Sequence, residues 1–260
     1  AEQVWDACVN TTDLCTDDAF MDTPLREKRN WLGDGSHAVL GALAAWGDTP
    51  VIRRYFQLAV QGALGDGMLR MFFPGGDFPE RTKVVNTIPQ HALVWACRVG
   101  EFYRHTGDRA FLADMLPTLE GLADWCDRHS NVDGLMDRLP YGCWLDWTPT
   151  DIRGANLGTN AFRLRLLDDL AWSSAELGRA DAAARWTEAA ARLRATLASR
   201  FWDPGHGRFC DSLIKGRQTG VASELGNALC VLFRVGDEAQ RAAAVELLAA
   251  GSPGLAPATS

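Results

Sequence analysis

The sequence predicts an all-α fold made of consecutive helical hairpins. Apolar residues recur at intervals of three and four in successive segments, which is the stripe of an amphipathic helix. Short turns rich in Gly and Asp alternate with longer loops that carry aromatic and acidic residues. The two-residue alternation that is typical of strands is almost absent, so a β or α/β class is not expected.

Four helix pairs are predicted in chain order. Their approximate ranges are 34–46 with 51–64, 88–105 with 111–126, 164–175 with 186–197, and 218–234 with 237–250. Four hairpins in series form either an open solenoid or a closed α/α toroid. Solenoid repeats have short and similar connections, whereas the loops between these pairs are unequal and rich in Trp. We therefore favour a toroid whose loops line a pocket at one end.

Composition restricts the function classes. The net charge of -7 and the absence of a basic cluster argue against nucleic acid and anionic membranes as partners. No apolar run approaches the roughly eighteen residues of a membrane span, so a soluble protein is expected. The 260 residues fit one large domain, two small domains or part of a larger protein.

The cysteine and histidine residues give no sign of a metal site or of disulfides. The seven cysteines form no Cys-x-x-Cys pair and are interpreted as reduced core residues. His91, His105 and His129 lack ligand spacing, and neither a metal nor a cofactor is predicted. No charged and then apolar leader precedes Trp5, which favours a cytoplasmic location.

The stretch from Asp22 to Asp34 is the first candidate site. Three carboxylates alternate here with three cations, so each acid can have its pKa set by a neighbour, and Trp31 offers a flat apolar surface. Acids beside an aromatic ring suggest a sugar site, and the alternative is a solvated, charge-paired loop. The candidate residues are Asp22, Arg26, Glu27, Trp31 and Asp34.

A second candidate site lies between Pro140 and Pro149, where Trp144 and Trp147 flank Asp146. The long segment from Met68 to Thr87 is also predicted to cover a site. Its candidate polar contacts are Asp77, Glu80 and Arg81. The other tryptophans on apolar helix faces are interpreted as core, namely Trp46, Trp95, Trp125 and Trp186.

These residue types suit glycoside hydrolysis. The reaction needs one protonated carboxylic acid for the leaving oxygen and a second carboxylate that activates water or attacks, and it needs no cofactor. Indole rings pack on the C–H faces of a sugar, while charged groups such as Asp34, Asp146 and Arg26 bind hydroxyls.

The stretch Asp22-Thr-Pro-Leu-Arg-Glu-Lys-Arg-Asn-Trp-Leu-Gly-Asp34 resembles the signature of bacterial α-L-rhamnosidases. Supporting segments are Ile88-Pro-Gln-His-Ala-Leu-Val-Trp95, Tyr103-Arg-His-Thr-Gly-Asp108 and Trp144-Leu-Asp-Trp147. The resemblance implies an (α/α)6 six-hairpin barrel and an inverting hydrolase of rhamnosylated glycosides. Glu27 then corresponds to the general acid. The implied substrate contacts are Asp22, Arg26, Trp31, Asp34, Trp144, Asp146 and Trp147.

Two departures from the family pattern matter. Thr23 stands where many members have Cys, and nothing like the later Trp-Glu motif that supplies the general base follows Ala250. We therefore expect the base to lie beyond residue 260. Glu224 is a substitute in the chain, although a Glu at a helix start is also favoured by the helix dipole alone. Six hairpins need twelve helices, so residues 1–260 are expected to be a single α/α-barrel catalytic domain truncated at its C-terminus.

Other functions remain open at this point. A different six-hairpin enzyme, glucoamylase-like or disaccharide phosphorylase-like, would keep the fold and change the sugar. A helical interaction scaffold without an active site would have scattered, solvated acidic loops. The pair Asp168-Asp169 raises a terpene-cyclase-like fold, but it lacks a third Asp at metal-binding spacing. The sequence does not predict the oligomeric state.

Overall fold

The computed structural model describes residues 1–75, 87–140, 142–145, 147 and 149–251. These residues form nine α-helices and five short strands. Helices α1 to α9 are Glu2–Leu14, Leu32–Trp46, Pro50–Gln61, Pro89–Thr106, Arg109–Arg128, Leu157–Glu176, Ala180–Phe201, Glu224–Leu232 and Glu238–Ala249. Strands β1 to β5 are Ala155–Asn156, Trp202–Asp203, Arg208–Phe209, Ser212–Ile214 and Arg217–Gln218. The predicted all-α class is confirmed.

All eight predicted helices are present, and the differences have physical reasons. Helix α1 was not predicted, and none of its residues is buried. Helix α8 begins at Glu224 instead of near Gln218, because Arg217 and Gln218 pair with β4 and Ser223 caps the helix by accepting from the Gly226 N–H. The strands have two or three residues each, which is too short for an alternating pattern.

The first of two compact units covers Ala1–Leu122. Its core is aromatic, and helix α2 packs against α4. The fully buried ring of Phe56 contacts the rings of Tyr55, Trp95, Phe102 and Phe111 at centroid distances between 5.1 and 6.0 Å. Most of these contacts are edge-on or tilted, as aromatic quadrupoles prefer. This cluster joins α3 to α4 and to the start of α5.

The second unit begins at Ala123. Helix α6 packs along α7, and α8 packs against α9. Strands β1, β4 and β5 form an antiparallel sheet in that order, and β2 pairs with β3. The β1–β4 pairing places Asn156 opposite Ser212, directly before the first turn of α6.

A similar turn follows each of the helices α3, α5 and α7. Isolated bridges join Ala63 to Leu69 and Ser130 to Met136, and β2 with β3 forms the third example. A glycine with positive φ lies inside each turn, at 94° for Gly67, 74° for Gly134 and 63° for Gly207. Glycine adopts positive φ angles without the steric cost that a Cβ atom adds, which favours it in all three turns.

Trp95, Trp125 and Trp186 are buried, as predicted. The core prediction for Trp46 is wrong, because this residue is 36% exposed at the last position of α2, beside Gly47. All seven cysteines are free. Cys97, Cys126, Cys210 and Cys230 are buried, but Cys8 is exposed on α1 and does not belong to the core.

Within the described ranges, no helix is both long enough and apolar enough to cross a bilayer. The same residues contain no cluster of three or more His, Cys, Asp or Glu side chains that could hold a metal ion.

Candidate active site

The first candidate site is a loop closed at its base by Asp22 and Arg29. The Asp22 N–H donates to the Arg29 carbonyl at 3.1 Å, and the Arg29 N–H donates to Asp22 Oδ1 at 3.0 Å. The two bonds connect the ends of an eight-residue segment. This closure limits the conformations that the residues between them can adopt.

Thr23 links the Asp22 carboxylate to the backbone of Glu27 inside this loop. Its hydroxyl donates to Asp22 Oδ2 at 3.4 Å and accepts from the Glu27 N–H at 3.3 Å. Lys28 follows with φ of 53°, a left-handed conformation that turns the chain back towards Arg29. The loop is therefore built around Glu27, which lies near its tip.

The Glu27 carboxylate is held on both of its oxygens. The indole Nε1–H of Trp31 donates to Oε2 at 3.0 Å, and Arg26 Nη2 donates to Oε1 at 3.3 Å. The Glu27 side chain is 37% exposed and that of Arg26 is 82% exposed. The carboxylate thus has one donor on each oxygen and remains open to solvent on one side.

Trp31 itself is fixed by Phe72. The two residues form an isolated antiparallel bridge, and their rings meet edge-on with centroids 4.9 Å apart. The guanidinium of Arg29 lies 4.4 Å from the centre of the Phe72 ring. The neighbouring Leu32 N–H donates to the Met71 carbonyl at 2.8 Å. Segments 29–32 and 71–72 therefore form a small rigid wall beside Glu27.

Asp34 and His37 lie on successive turns of α2. Partial desolvation raises the pKa of Asp34, and the charges of Asp22 and Glu27 raise it further, against the lowering effect of its own backbone N–H and of His37. Desolvation lowers the pKa of His37, as does the charge of Arg98. Both side chains are exposed to solvent. The pKa shifts therefore arise because protein atoms surround one side of each group.

A groove of about 730 Å³ runs between α1 and α2. Asp22, Asp34 and His37 line its polar part, while Val4 and Ala7 of α1 line its apolar part. The groove thus brings two of the predicted carboxylates to one surface.

Two glycines allow α2 to begin so close to its neighbours. A Cβ atom at Gly33 would lie 2.8 Å from Nε2 of His91, and one at Gly35 would lie 2.3 Å from the ring of Tyr55. Both distances are too short for any larger residue. Burial lowers the pKa of His91 to about 4, and the charge of His37 acts in the same direction. The ring of His91 is thus a neutral packing surface behind Gly33.

The second candidate site, between Pro140 and Pro149, is called the aromatic loop and belongs to the second unit. Trp144 and Trp147 form an edge-on pair with ring centroids 5.6 Å apart, and Trp147 is 83% exposed. Leu145 points back to α6, because a Cβ atom at Gly158 would lie 2.9 Å from its Cδ1. The loop therefore presents Trp147 to solvent, with Trp144 half-buried beside it and Leu145 as an apolar anchor.

A family model described as the bacterial alpha-L-rhamnosidase 6 hairpin glycosidase domain matches residues 1–252. The chain belongs to this family. The sequence resemblance to rhamnosidases and the predicted six-hairpin fold class are thereby confirmed. The nine helices of the described residues compare with the twelve that six complete hairpins contain. A comparison with curated proteins gave no match.

Solved structures agree with the six-hairpin domain. The chain is 24% identical to a GH78 rhamnosidase of Bacillus sp. GL1, with a TM-score of 0.90 over 98% of this chain and 26% of that one. A rhamnose-bound rhamnosidase from Klebsiella oxytoca gives 18% identity and 0.79 over 96% and 48%. A GH63 mannosylglycerate hydrolase from Thermus thermophilus, in complex with glucose, gives 16% and 0.72 over 93% and 74%.

These identities show the fold alone. The six-hairpin domain spans about a quarter of the Bacillus enzyme and about half of the Klebsiella enzyme.

The predicted site residues of the six-hairpin domain fall into two groups. The loop and the first turn of α2 bring together Asp22, Arg26, Glu27, Trp31 and Asp34 in the first unit. Trp144 and Trp147 pair in the second unit, and their role as sugar contacts stays a prediction. Four predicted contacts lie outside the described residues, namely Asp77, Glu80, Arg81 and Asp146.

Sequence reasoning missed four residues that shape the site. Phe72 fixes Trp31, and Thr23 bridges the Asp22 carboxylate and the backbone N–H of Glu27. Arg29 closes the loop, and His37 lines the groove. Only His37 had a detectable signal, because it follows Asp34 by three residues and so shares a helix face with it. The bridge between Trp31 and Phe72 joins residues 41 positions apart and leaves no local pattern.

Proposed function

We propose that this domain removes terminal α-L-rhamnose from glycosides by an inverting acid–base mechanism with Glu27 as the general acid. The observation that carries the proposal is the clamped carboxylate of Glu27, which accepts from Trp31 at 3.0 Å and from Arg26 at 3.3 Å. Membership of the rhamnosidase-type family supports the same assignment.

The chemistry assigns one task to each group. Glu27 protonates the glycosidic oxygen as the bond to the sugar breaks, and a second carboxylate activates water on the opposite face of the ring. Trp31 and Arg26 hold the Glu27 carboxylate in one orientation, so that its proton is aimed at the leaving oxygen. The residues need no cofactor for this step.

Substrate binding is proposed for the remaining candidates. Asp22 and Asp34 provide acceptors for sugar hydroxyls from the groove beside α2, and the face of Trp31 packs on C–H groups. We also propose Arg26, Trp144, Asp146 and Trp147 as contacts of the glycoside.

The proposed mechanism also needs a carboxylate that activates water. Glu224 is the candidate that the chain offers, in the first turn of α8. A carboxylate at this position also interacts favourably with the helix dipole, which gives it a structural role without any catalysis. Glu224→Gln would lower hydrolysis strongly only if this residue activates water.

The test is release of p-nitrophenol from p-nitrophenyl α-L-rhamnoside by the protein and by Glu27→Gln. We expect the substitution to abolish turnover, and we expect proton NMR to detect β-rhamnose as the first product. Glu188→Gln is a matched control, because Glu188 is an exposed glutamate on α7 paired with Arg192. Unchanged turnover in Glu27→Gln would refute the assignment of the acid, and first release of α-rhamnose would refute inversion.

A second candidate keeps the fold and changes the sugar. The similarity to the GH63 mannosylglycerate hydrolase covers 93% of the chain, so an enzyme named for a different substrate has the same fold. Glycosides of glucose and mannose, each tested with and without phosphate, would identify a hydrolase or a phosphorylase of another sugar. Hydrolysis of these glycosides in preference to the rhamnoside would replace our first proposal.

We further propose that residues 1–260 act as a single α/α-barrel catalytic domain. One family model matches the chain continuously from residue 1 to residue 252, through both compact units.

A further inference from the structure

We propose that the first turn of α6 positions the aromatic loop for carbohydrate binding, with Gly158 and Asn160 as positioning residues for Trp144 and Trp147. This inference rests on the proposed function, because it takes the two indoles as substrate contacts. No described residue between 137 and 154 belongs to a helix or a strand. The loop must therefore obtain its shape from its attachments.

The start of the loop is attached through Asn160. Its Oδ1 accepts from the Met136 N–H at 2.8 Å, and its Nδ2 donates to the Met136 carbonyl at 3.2 Å and to the Asn156 carbonyl at 2.8 Å. The Asn160 side chain is completely buried. Three bonds in a dry environment fix the point from which the loop departs.

The end of the loop is attached through Asn156. Its Nδ2 donates to the Asp151 carbonyl at 2.7 Å, while its Oδ1 caps α6 by accepting from the Thr159 N–H at 2.9 Å. The Asp151 N–H donates to Oδ2 of the buried Asp211 at 3.2 Å. The returning chain is thus tied to the same helical turn as the departing chain.

The middle of the loop is attached through Gly158. The Leu145 side chain occupies the space that a Cβ atom of residue 158 would need, at 2.9 Å from Cδ1 and 3.3 Å from Cδ2. Leu145 stands directly after Trp144 and two residues before Trp147. A shift of the Leu145 backbone would therefore move both indoles.

The first turn of α8 can be compared with the first turn of α6. The comparison separates the contacts that both helices share from the contact that involves the aromatic loop. Asn227 binds Phe209 there as Asn160 binds Met136, with bonds to its N–H at 2.9 Å and its carbonyl at 3.0 Å. Gly226, however, faces Oδ1 of Asp211 at 2.8 Å and Cδ2 of Leu157 at 3.3 Å. The asparagine clamp is thus shared by both helices, whereas the contact between a glycine and Leu145 of the aromatic loop occurs at α6.

Gly158→Ala is the informative substitution. Gly158 has a helical backbone without positive φ, so alanine suits the helix better than glycine. The atom in its way is the end of a flexible side chain, so Leu145 moves and the helix stays. Gly121→Ala is the matched control, because Gly121 also lies in a helix and its added Cβ would approach no atom closer than 3.9 Å.

The experiment compares the full protein with Gly158→Ala, Leu145→Ala, the double variant and Gly121→Ala. Each is labelled with 5-fluorotryptophan, and Trp144→Phe and Trp147→Phe assign the two fluorine resonances. In Gly158→Ala we expect both resonances to shift, an unchanged or higher Tm, and a KM for p-nitrophenyl α-L-rhamnoside raised by about fivefold at constant kcat. In a protein that already carries Leu145→Ala, Gly158→Ala should cause no further change in the two resonances or in KM.

The outcomes separate the inference from the proposed function. Wild-type positions of both resonances in Gly158→Ala would overturn the inference, whatever the activity. Shifted resonances with a wild-type KM would also overturn it, because the loop would then be positioned without serving binding. A wild-type protein that does not hydrolyse the rhamnoside would refute the proposed function, and the resonances alone would then support or overturn the positioning by Gly158.

Discussion

The indole Nε1–H of Trp31 donates to Oε2 of Glu27 across 3.0 Å. Trp31 is the N-cap residue of α2, and its ring is fixed edge-on against Phe72. This hydrogen bond therefore orients the Glu27 carboxylate relative to the start of α2. Trp31 has two separable functions in this arrangement, because the ring packs and the N–H aligns.

Trp31→Phe separates these two functions. Phenylalanine keeps an aromatic ring against Phe72 and removes the donor to Glu27. A hydrogen bond to a charged group contributes about 1.5–3 kcal/mol, so we expect kcat/KM for the aryl rhamnoside to fall by roughly ten- to a hundredfold. Steady-state kinetics with a thermal unfolding curve would measure both effects.

Trp202→Phe is the control for this substitution. Trp202 also meets a phenylalanine, Phe209, edge-on at 4.9 Å, so the loss of packing is comparable. Its kcat/KM should remain that of the wild type. Equal losses in the two variants would show that packing and not the N–H of Trp31 matters.

Asp34→Asn should make the protein more stable and less active. Desolvation raises the pKa of Asp34 in the folded state, so the charged form costs stability above that pKa, and asparagine removes this cost. The gain at pH 7 should stay below ~1 kcal/mol, because the group is largely exposed and screened. Unfolding curves at pH 7 and pH 3 would measure it, and the gain should vanish at pH 3, where aspartate is protonated in both states.

Rhamnoside hydrolysis should fall in the same variant if Asp34 binds the sugar. Greater stability with loss of function is typical of a site that holds unfavourable charges for its ligand. A variant less stable than the wild type at pH 7 would contradict the assigned cause of the shift.

The sequence was sufficient to predict most helices because their information is local. The apolar residues of each predicted helix recur every three or four positions, so the pattern is contained within that helix. Helix α1 was not among the predicted helices, and it buries none of its residues. The exposed Trp46 was misassigned because periodicity assigns a face of the helix but not the end of the packed region.

The candidate site was only partly predictable for the same reason. Asp22, Glu27 and Asp34 occur within thirteen residues, so their grouping was visible in the sequence. The contacts that orient them are long-range or depend on backbone geometry, as in the pairing of Trp31 with Phe72 and the bridge made by Thr23. Such contacts arise from tertiary packing, which no local pattern encodes.

His91→Gln should reduce the acid sensitivity of the fold. Burial lowers the pKa of His91 from 6.5 to about 4, so the unfolded chain binds a proton between these values that the folded protein does not. The free energy of unfolding therefore falls as the pH drops from 6.5 to 4, by about 3 kcal/mol in total. Glutamine has no charge to bury, and urea denaturation at pH 7 and pH 4 should show a smaller difference.

The control for this prediction is His105→Gln, an exposed histidine on the same helix α4. It should keep the full pH dependence of the wild type. If His91→Gln keeps it as well, another group causes the acid sensitivity.

Asn227→Ala should destabilise the protein by about 3 kcal/mol. The substitution leaves the buried Phe209 N–H without its acceptor. It also removes the donor to the carbonyls of Phe209 and Ser223. Asn227→Asp keeps the acceptor but loses the donors at pH 7, so it should be at least as destabilising there. Its free energy of unfolding should recover partly in acid, because the protonated carboxyl can donate again. Asn10→Ala, at an exposed position of α1, should remain within about 0.5 kcal/mol of the wild type. Urea denaturation measures all three, and a near-neutral Asn227→Ala would refute the clamp.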